Sequence, residues 1–187
     1  SGETDIDSLY QMFEGKLMSI LENFTDIKPG VLETVKILRE KGISIGSTTG
    51  YTDGMMEIVV KKAEEHGYKP DAWFSPDSTN KLGRPYPYMI YRNMEAFAVS
   101  SADGVVKVGD TVSDIKEGKS AGVFSIGIIE GSSEMGLSRE EYDSLTGEEK
   151  SRRAVLVTAK YAEAGADAVI HNMWDLIPLL KNIFIIE

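Results

Sequence analysis

The sequence contains no cysteine, and it has fewer basic than acidic residues. Without cysteine, disulfide bonds, thiolate nucleophiles and Cys-ligated zinc are excluded, and a reducing compartment is favoured, so we expect a cytoplasmic protein. Lysine and arginine together number 20 against 30 acidic residues, which gives a net charge of −10. A surface of this sign repels phosphate backbones, and we therefore expect no nucleic-acid partner.

Long hydrophobic runs are also missing from the sequence. No apolar run approaches the ~18 residues that a membrane helix needs, and residues 1–10 have neither the basic nor the apolar part of a signal peptide. We therefore expect no association with membranes. The 187 residues are 42% hydrophobic and 27% charged, which is typical of one folded domain with room for a small appendage.

Periodic apolar residues and turn residues predict strands that alternate with helices along most of the chain. Strands separated by helices form βαβ units, so we expect an α/β fold with a parallel sheet. The predicted strands cover residues 43–47, 72–74, 104–108, 124–129 and 168–170, and the predicted helices cover 30–41, 53–66, 87–98, 110–121, 138–143, 151–164 and 173–182.

The N-terminal segment is predicted to be separate from this alternation. Apolar residues at spacings of three and four predict a helix over residues 5–24. Pro29 and Gly30 then break the chain direction. We place a hinge at this break, which divides the chain into residues 1–26 and residues 27–187.

Two carboxylates follow one of the predicted strands. In parallel sheets the functional loops lie at the carboxyl ends of the strands. This rule selects the loops at 47–51, 109–114 and 130–133. In the second of them Asp110 follows Gly109 at the strand end, and Asp114 comes one helical turn later. Such a pair suits a hard cation such as Mg²⁺; the alternative is that Asp110 or Thr111 only caps the next helix.

Two further segments carry groups that bind anions. Thr48, Thr49 and Gly50 follow the strand at 43–47, where hydroxyl and backbone N–H groups can hold phosphate oxygens. The alternative is an ordinary turn with a capping threonine. Arg84 stands between a glycine and a proline, where it either clamps a phosphate or is simply solvated. Spacing does not decide which of the two threonines faces the site.

Taken in order, the strand-end threonine, the loop arginine and the G-D-x-x-x-D segment resemble motifs two, three and four of the haloacid dehalogenase superfamily. Within that superfamily the chain is similar to the phosphonoacetaldehyde hydrolases. The stretches that carry this similarity are IGSTTGYT (45–52), MMEIV (55–59), GYKPD (67–71), GRPYPYM (83–89), KVGDTVSDIKEGKSAG (107–122) and GSSEMGLSREE (131–141).

The resemblance implies a fold and an activity. Residues 27–187 would form a Rossmann-like parallel sheet with helices on both faces, without the family's first strand, and residues 1–26 would be a remnant helix of a helical cap. The implied reaction is Mg²⁺-dependent hydrolysis of the C–P bond of phosphonoacetaldehyde to acetaldehyde and phosphate, a step of phosphonate degradation. The implied site residues are Thr48, Thr49, Gly50 and Arg84 for phosphate, Tyr51 for the substrate pocket, and Asp110, supported by Asp114, for Mg²⁺.

The family's covalent chemistry needs residues that the sequence does not contain. Its members attack phosphorus with the Asp of a D-x-A-G-T motif, and a lysine of their cap forms a Schiff base with the aldehyde. Neither that motif nor a lysine in a matching context occurs here, so we expect a truncated enzyme that is inactive alone. The alternatives are a non-catalytic phosphate- or metal-binding piece, or a half-enzyme completed by another chain. A phospho-receiver-like domain is disfavoured because no Lys-Pro follows the last strand.

The missing first strand has a structural consequence. In the superfamily it lies between the motif-two and motif-four strands, and its absence would leave two buried edges with unpaired backbone groups. The chain could close the gap, insert a terminal strand at 184–186, or pair with another chain. We expect self-association, as a homodimer or with a missing half, and a small phosphonate or phosphate as the ligand.

Overall fold

The computed structural model describes residues 10–14 and 27–184, and in this part of the chain six strands form one sheet. The order across the sheet is β3-β2-β1-β4-β5-β6, and every neighbouring pair is parallel. The predicted α/β fold with a parallel sheet is thereby confirmed. The strands are β1 (Tyr10–Glu14), β2 (Ile45–Thr48), β3 (Ala72–Phe74), β4 (Val105–Gly109), β5 (Phe124–Ile128) and β6 (Ala168–Ile170).

Helices cover both faces of this sheet. One face packs on α1, α2 and α7 through a single large apolar cluster, and the other packs on α3, α4 and α6 through two smaller ones. None of the helices within 27–184 has both the length and the apolar character needed to cross a bilayer. The helices are α1 (Val31–Glu40), α2 (Asp53–Glu65), α3 (Tyr88–Ala96), α4 (Val112–Ala121), α5 (Arg139–Asp143), α6 (Gly147–Glu163) and α7 (Leu176–Ile183).

Strand β4 shows how the two faces divide the side chains, because successive residues of a strand point to opposite sides. Val106 and Val108 belong to the large cluster under α1 and α2. Val105 belongs to a cluster on the other face. Lys107 lies on that same side and is also fully buried. One charged residue is therefore enclosed between β4 and the helices that cover it.

The N-terminal segment differs from the prediction. The helix predicted over 5–24 is wrong at Tyr10–Glu14, which forms strand β1 between β2 and β4; the rest of that range lies outside the described residues. Met12 of β1 is in register with Gly46 of β2 and with Lys107 of β4. As a strand, β1 forms hydrogen bonds with the backbone groups of β2 and β4 that would otherwise be buried without partners. This gain is larger than the preference for a helix that the spacing of the apolar residues indicates.

The sheet consequently has a strand at the place where the resemblance predicted a gap. Residues 10–14 fill it, so β2 and β4 do not close directly on each other. Phe184 instead follows α7 in a bend, where its ring packs edge-on against Phe124 with a centroid distance of 5.9 Å. Residues 185–187 lie outside the described part. The division of the chain at residue 26 stays a prediction.

Candidate active site

The loops that follow β2 and β4 meet the Arg84 loop at one edge of the sheet. The Nη1 atom of Arg84 lies 3.6 Å from Oδ1 of Asp114, and its Nη2 donates to the backbone oxygen of Thr48 over 3.5 Å. This edge is where the strand order reverses, between β1 and β4. Open α/β sheets bind their ligands at such a reversal. The structure therefore brings the residues predicted to bind phosphate close to those predicted to bind a metal ion.

Asp114 forms a capping box at the start of α4. Its Oδ2 accepts from the backbone N–H of Asp110 over 2.9 Å and from that of Thr111 over 3.0 Å. In return, Oγ1 of Thr111 accepts from the backbone N–H of Asp114 over 3.0 Å. The alternative prediction that Thr111 caps this helix is confirmed. Asp110 is fully buried directly after β4, and the cap of α4 is made by the side chains of Thr111 and Asp114.

Gly109 makes room for this arrangement. A Cβ atom at position 109 would lie 2.2 Å from Cβ of Asp114 and 2.6 Å from its Cγ. Real side chains do not approach so closely, and therefore only glycine permits the Asp114 carboxylate to reach back to the end of β4. The order Gly-Asp at the strand end is required by packing as well as by chemistry.

The two threonines of the first loop face different partners. Oγ1 of Thr48 donates to Oε1 of Glu117 over 2.8 Å and accepts from Nζ of Lys107 over 3.0 Å. Oγ1 of Thr49 accepts from the backbone N–H of Tyr51 over 3.1 Å. Both threonines are buried, Tyr51 is half-buried against the large apolar cluster, and Gly50 is exposed.

Lys107 and Glu117 were not singled out by the sequence, yet both are fully buried beside the predicted residues. Nζ of Lys107 lies 3.0 Å from Oε1 of Glu117 and 3.9 Å from Oδ1 of Asp114. Burial lowers the pKa of Lys107 below its ordinary value, while the two carboxylates act in the opposite direction. The one available signal was a lysine inside an otherwise apolar strand, V-V-K-V-G.

The third predicted loop, which follows β5, contacts the first residue of α4. Oε1 of Glu134 accepts from the backbone N–H of Val112 over 2.8 Å, at the first residue of α4. Oγ of Ser132 donates to the backbone oxygen of Ile129 and accepts from the backbone N–H of Met135. The G-S-S-E segment after β5 thus holds the beginning of α4, and so holds the capping box.

The carboxylates at this edge of the sheet supply some of the oxygen ligands that a hard cation needs. Among the described residues no cluster of three or more His, Asp or Glu side chains has the geometry of a complete metal site. Within the same residues no hydrogen bond reaches the buried Oδ1 atom of Asp114, which faces Arg84 and Lys107. Mg²⁺ in proteins is held by one or two carboxylates and keeps several waters. The carboxylates of Asp110 and Asp114 fit that requirement.

Sequence comparisons give relatives of high similarity. The model of the haloacid dehalogenase-like hydrolases matches residues 4–122. A phosphonoacetaldehyde hydrolase of Lysinibacillus sphaericus (strain C3-41) is 52% identical over 180 residues, which are 96% of this chain and 66% of that protein. The corresponding enzyme of Parabacteroides distasonis is 49% identical, over 96% of this chain and 67% of that protein. The chain thus spans about two thirds of the length of these relatives.

Comparison with solved structures gives a relative of the same family. The crystal structure of a phosphonoacetaldehyde hydrolase-like protein from Oleispira antarctica matches with a TM-score of 0.79 at 30% identity, over 85% of this chain and 57% of the other. A TM-score of this size shows that the two chains share a fold over the matched region. From the family model, the sequence relatives and this fold, the chain belongs to the haloacid dehalogenase-like hydrolases and, within them, to the phosphonoacetaldehyde hydrolase family.

Proposed function

We propose that this chain supplies the phosphate- and metal-binding part of an enzyme that hydrolyses the C–P bond of phosphonoacetaldehyde to acetaldehyde and phosphate. The observation that carries the proposal is the meeting of the Thr48–Thr49 loop, Arg84 and the Asp110–Asp114 pair at one edge of the sheet. The partner we propose is accordingly a small phosphonate or phosphate. The relatives named for this activity support the choice of substrate.

Thr49, and not Thr48, is the threonine we assign to the phosphate. A hydroxyl has one proton to donate. The proton of Thr48 goes to Glu117, so this hydroxyl is committed to the buried network. Thr49 is buried in the same loop, and its Oγ1 accepts from the N–H of Tyr51, so its hydroxyl belongs to the loop that we assign to the phosphate. Arg84, whose side chain is 12% exposed, adds positive charge to the same anion site.

Asp110 is the residue we assign to a divalent cation, with Asp114 in a supporting role. Asp114 is already tied to two backbone N–H groups and faces Arg84, so it orients the loop and balances charge. Asp110 lies beside it at the strand end. Bound Mg²⁺ would neutralise negative charge on the phosphoryl oxygens. What this chain's own residues do is bind the phosphoryl group, orient it and hold the cation.

The D-x-A-G-T nucleophile and the Schiff-base lysine of the family are absent from the sequence. Covalent catalysis requires a nucleophile, so we expect no turnover by these 187 residues alone. The second candidate function is a half-enzyme that another chain completes. A phosphate-binding site on this chain fits both candidates. A cytoplasmic location and a homodimer stay predictions. Strand β1 covers the inner edges of β2 and β4, so open edges no longer argue for the dimer.

The test is a fusion protein. The N-terminal segment of a phosphonoacetaldehyde hydrolase, with its D-x-A-G-T strand and cap lysine, is joined upstream of Ser1. A coupled acetaldehyde assay should detect turnover by the fusion and none by the parent chain. Asp110→Ala in the fusion should abolish the turnover, whereas Asp103→Ala, at the opposite end of β4, should leave it unchanged. A fusion that folds and binds phosphate but produces no acetaldehyde would refute the proposed reaction.

A further inference from the structure

A closed triangle of polar contacts lies between the sheet and α4. Nζ of Lys107 is 3.0 Å from Oγ1 of Thr48 and 3.0 Å from Oε1 of Glu117, and the threonine hydroxyl donates to the same carboxylate oxygen over 2.8 Å. All three side chains are buried. The triangle therefore joins the end of β2, the middle of β4 and the second turn of α4.

We propose that Lys107 and Glu117 are positioning residues that fix the Thr48 side chain and the Asp114 carboxylate. Through these two contacts the pair sets the spacing between the phosphate loop (residues 47–51) and the metal loop (residues 109–114). Neither residue needs to touch the ligand for this role. The inference depends on the function proposed above only for the identity of the ligand.

Stability alone does not account for this pair. Removing two charges from water costs several kcal/mol each, and replacing a buried ion pair by apolar residues of similar volume is often neutral or stabilising. The packing here is close, since a Cβ at Gly118 of α4 would lie 3.1 Å from Cγ of Lys107. Apolar side chains could fill the same space, but they could not hold the hydroxyl of Thr48 in one orientation.

Charge balance points in the same direction. The described part of the site contains two cations, Lys107 and Arg84, and three carboxylates, those of Asp110, Asp114 and Glu117. Lys107 lies nearest to Glu117, and Arg84 lies nearer than Lys107 to Asp114. With Lys107 in place, Glu117 does not compete for the guanidinium group. Arg84 therefore stays beside Asp114, at the entrance to the proposed phosphate site.

The experiment uses the 187-residue chain itself and four variants. The double variant Lys107→Met with Glu117→Leu replaces the pair by apolar side chains, and Lys107→Met alone leaves Glu117 unbalanced. Glu117→Gln keeps the shape and removes one charge. The matched control is Lys119→Met. Lys119 lies on α4, like Glu117, and forms a partly exposed ion pair with Asp167 over 3.1 Å.

Two readouts separate positioning from stability. Urea denaturation gives the free energy of unfolding, which should be retained in the double variant and fall in Lys107→Met. Amide hydrogen exchange and ¹⁵N–¹H spectra report on the two loops directly. If the pair positions them, exchange at residues 47–51 and 109–114 should accelerate by about 10-fold or more in the double variant and in Glu117→Gln, because local opening is favoured. Titration with inorganic phosphate and Mg²⁺ should weaken in parallel.

The outcomes discriminate clearly. Loops that keep their exchange rates and chemical shifts in a folded double variant would overturn the proposal. If the double variant does not fold, Glu117→Gln decides in the same way. Lys119→Met should leave both loops unchanged, and a change there would show that any helix substitution disturbs them. Because loop exchange is measured without substrate, failure of the proposed reaction in the fusion protein would be seen separately.

Discussion

Gly109 and the side chain of Asp114 are in close contact at the end of β4. The position of the Asp114 carboxylate depends on the absence of a side chain at residue 109. The Asp114 carboxylate reaches the N–H groups of Asp110 and Thr111 only because residue 109 has no side chain. The G-D-x-x-x-D spacing is therefore a packing requirement before it is a chemical one. The same contact fixes the backbone of Asp110, from which the proposed cation ligand projects.

Gly109→Ala is accordingly expected to destabilise the protein. The added Cβ would overlap Cβ of Asp114 at 2.2 Å, and relief requires a shift of β4 or loss of the capping box. Overpacking of this kind costs about 1–3 kcal/mol, and urea denaturation measures it. Gly50→Ala is the matched control, because a Cβ there meets nothing within 4 Å. Equal midpoints for the two variants would contradict this account of the motif.

Asp110→Ala should abolish whatever affinity the chain has for Mg²⁺. The reason is that Asp114 already accepts two backbone hydrogen bonds and faces Arg84, which leaves Asp110 as the main cation ligand of the described site. Calorimetric titration with Mg²⁺ measures the loss, and Asp103→Ala, in the turn that precedes β4, serves as the control. A titration that is the same for Asp110→Ala and the parent would remove this role.

The strand-end rule predicted from the sequence that Thr48, Thr49 and Asp110 lie at one edge of the sheet, because the carboxyl ends of parallel strands meet there. It could not find Lys107 or Glu117. The partner of Glu117 depends on how α4 is rotated and how closely it approaches β4 and β5. That approach is set by tertiary contacts, which local sequence does not specify.

Among the larger elements, α6 packs on the sheet partly through Tyr161. Tyr161 packs flat against β5, where a Cβ at Gly127 would lie 2.5 Å from its ring. Its hydroxyl donates to the backbone oxygen of Ile128 over 2.7 Å. Burial raises the pKa of Tyr161 above its ordinary value of 10.0, and the charges of Asp110 and Asp114 act in the same direction.

This contact predicts the direction of a pH effect. Because the folded protein holds the Tyr161 proton more tightly than the unfolded chain, the unfolded chain binds fewer protons above about pH 10, and stability must fall as pH rises there. Tyr161→Phe should lower stability at pH 8 by about 1 kcal/mol through the lost hydrogen bond, yet reduce the alkaline slope. Tyr68, whose pKa is also raised by burial, should retain part of that slope.

Urea denaturation of both proteins between pH 8 and pH 11 measures this effect. The difference in unfolding free energy between parent and variant should shrink as pH rises. A difference that stays constant would mean that Tyr161 titrates alike in the folded and unfolded states, and a growing one would reverse the sign.

Most elements were predictable because their boundaries are local. Helix α6 begins at Gly147, four residues before the predicted start, because Thr146 and Glu149 form a capping box there. The sequence T-G-E-E contains that signal. Strand β1 was not predictable in the same way. Its residues have helical spacing, and only the vacancy between β2 and β4 makes a strand the better solution.

On the scale of the whole molecule, two segments compete for the position between β2 and β4. In the described structure Tyr10–Glu14 occupies the place between β2 and β4. The family resemblance assigns the same place to the D-x-A-G-T strand and assigns residues 5–24 to a cap helix. Each inner edge can pair with one strand only, so the two arrangements exclude each other.

Adding the D-x-A-G-T strand should therefore displace β1. In the parent chain the ¹³Cα shifts of residues 10–14 should have the sign of a strand, as the pairing of Met12 with Gly46 and Lys107 requires. In the fusion protein described above the same residues should change to the sign of a helix, because apolar residues at helical spacing regain a surface to pack on. Strand-type shifts in an active fusion would show that both segments fit in the sheet. Helix-type shifts in the parent chain would show that β1 does not form in solution.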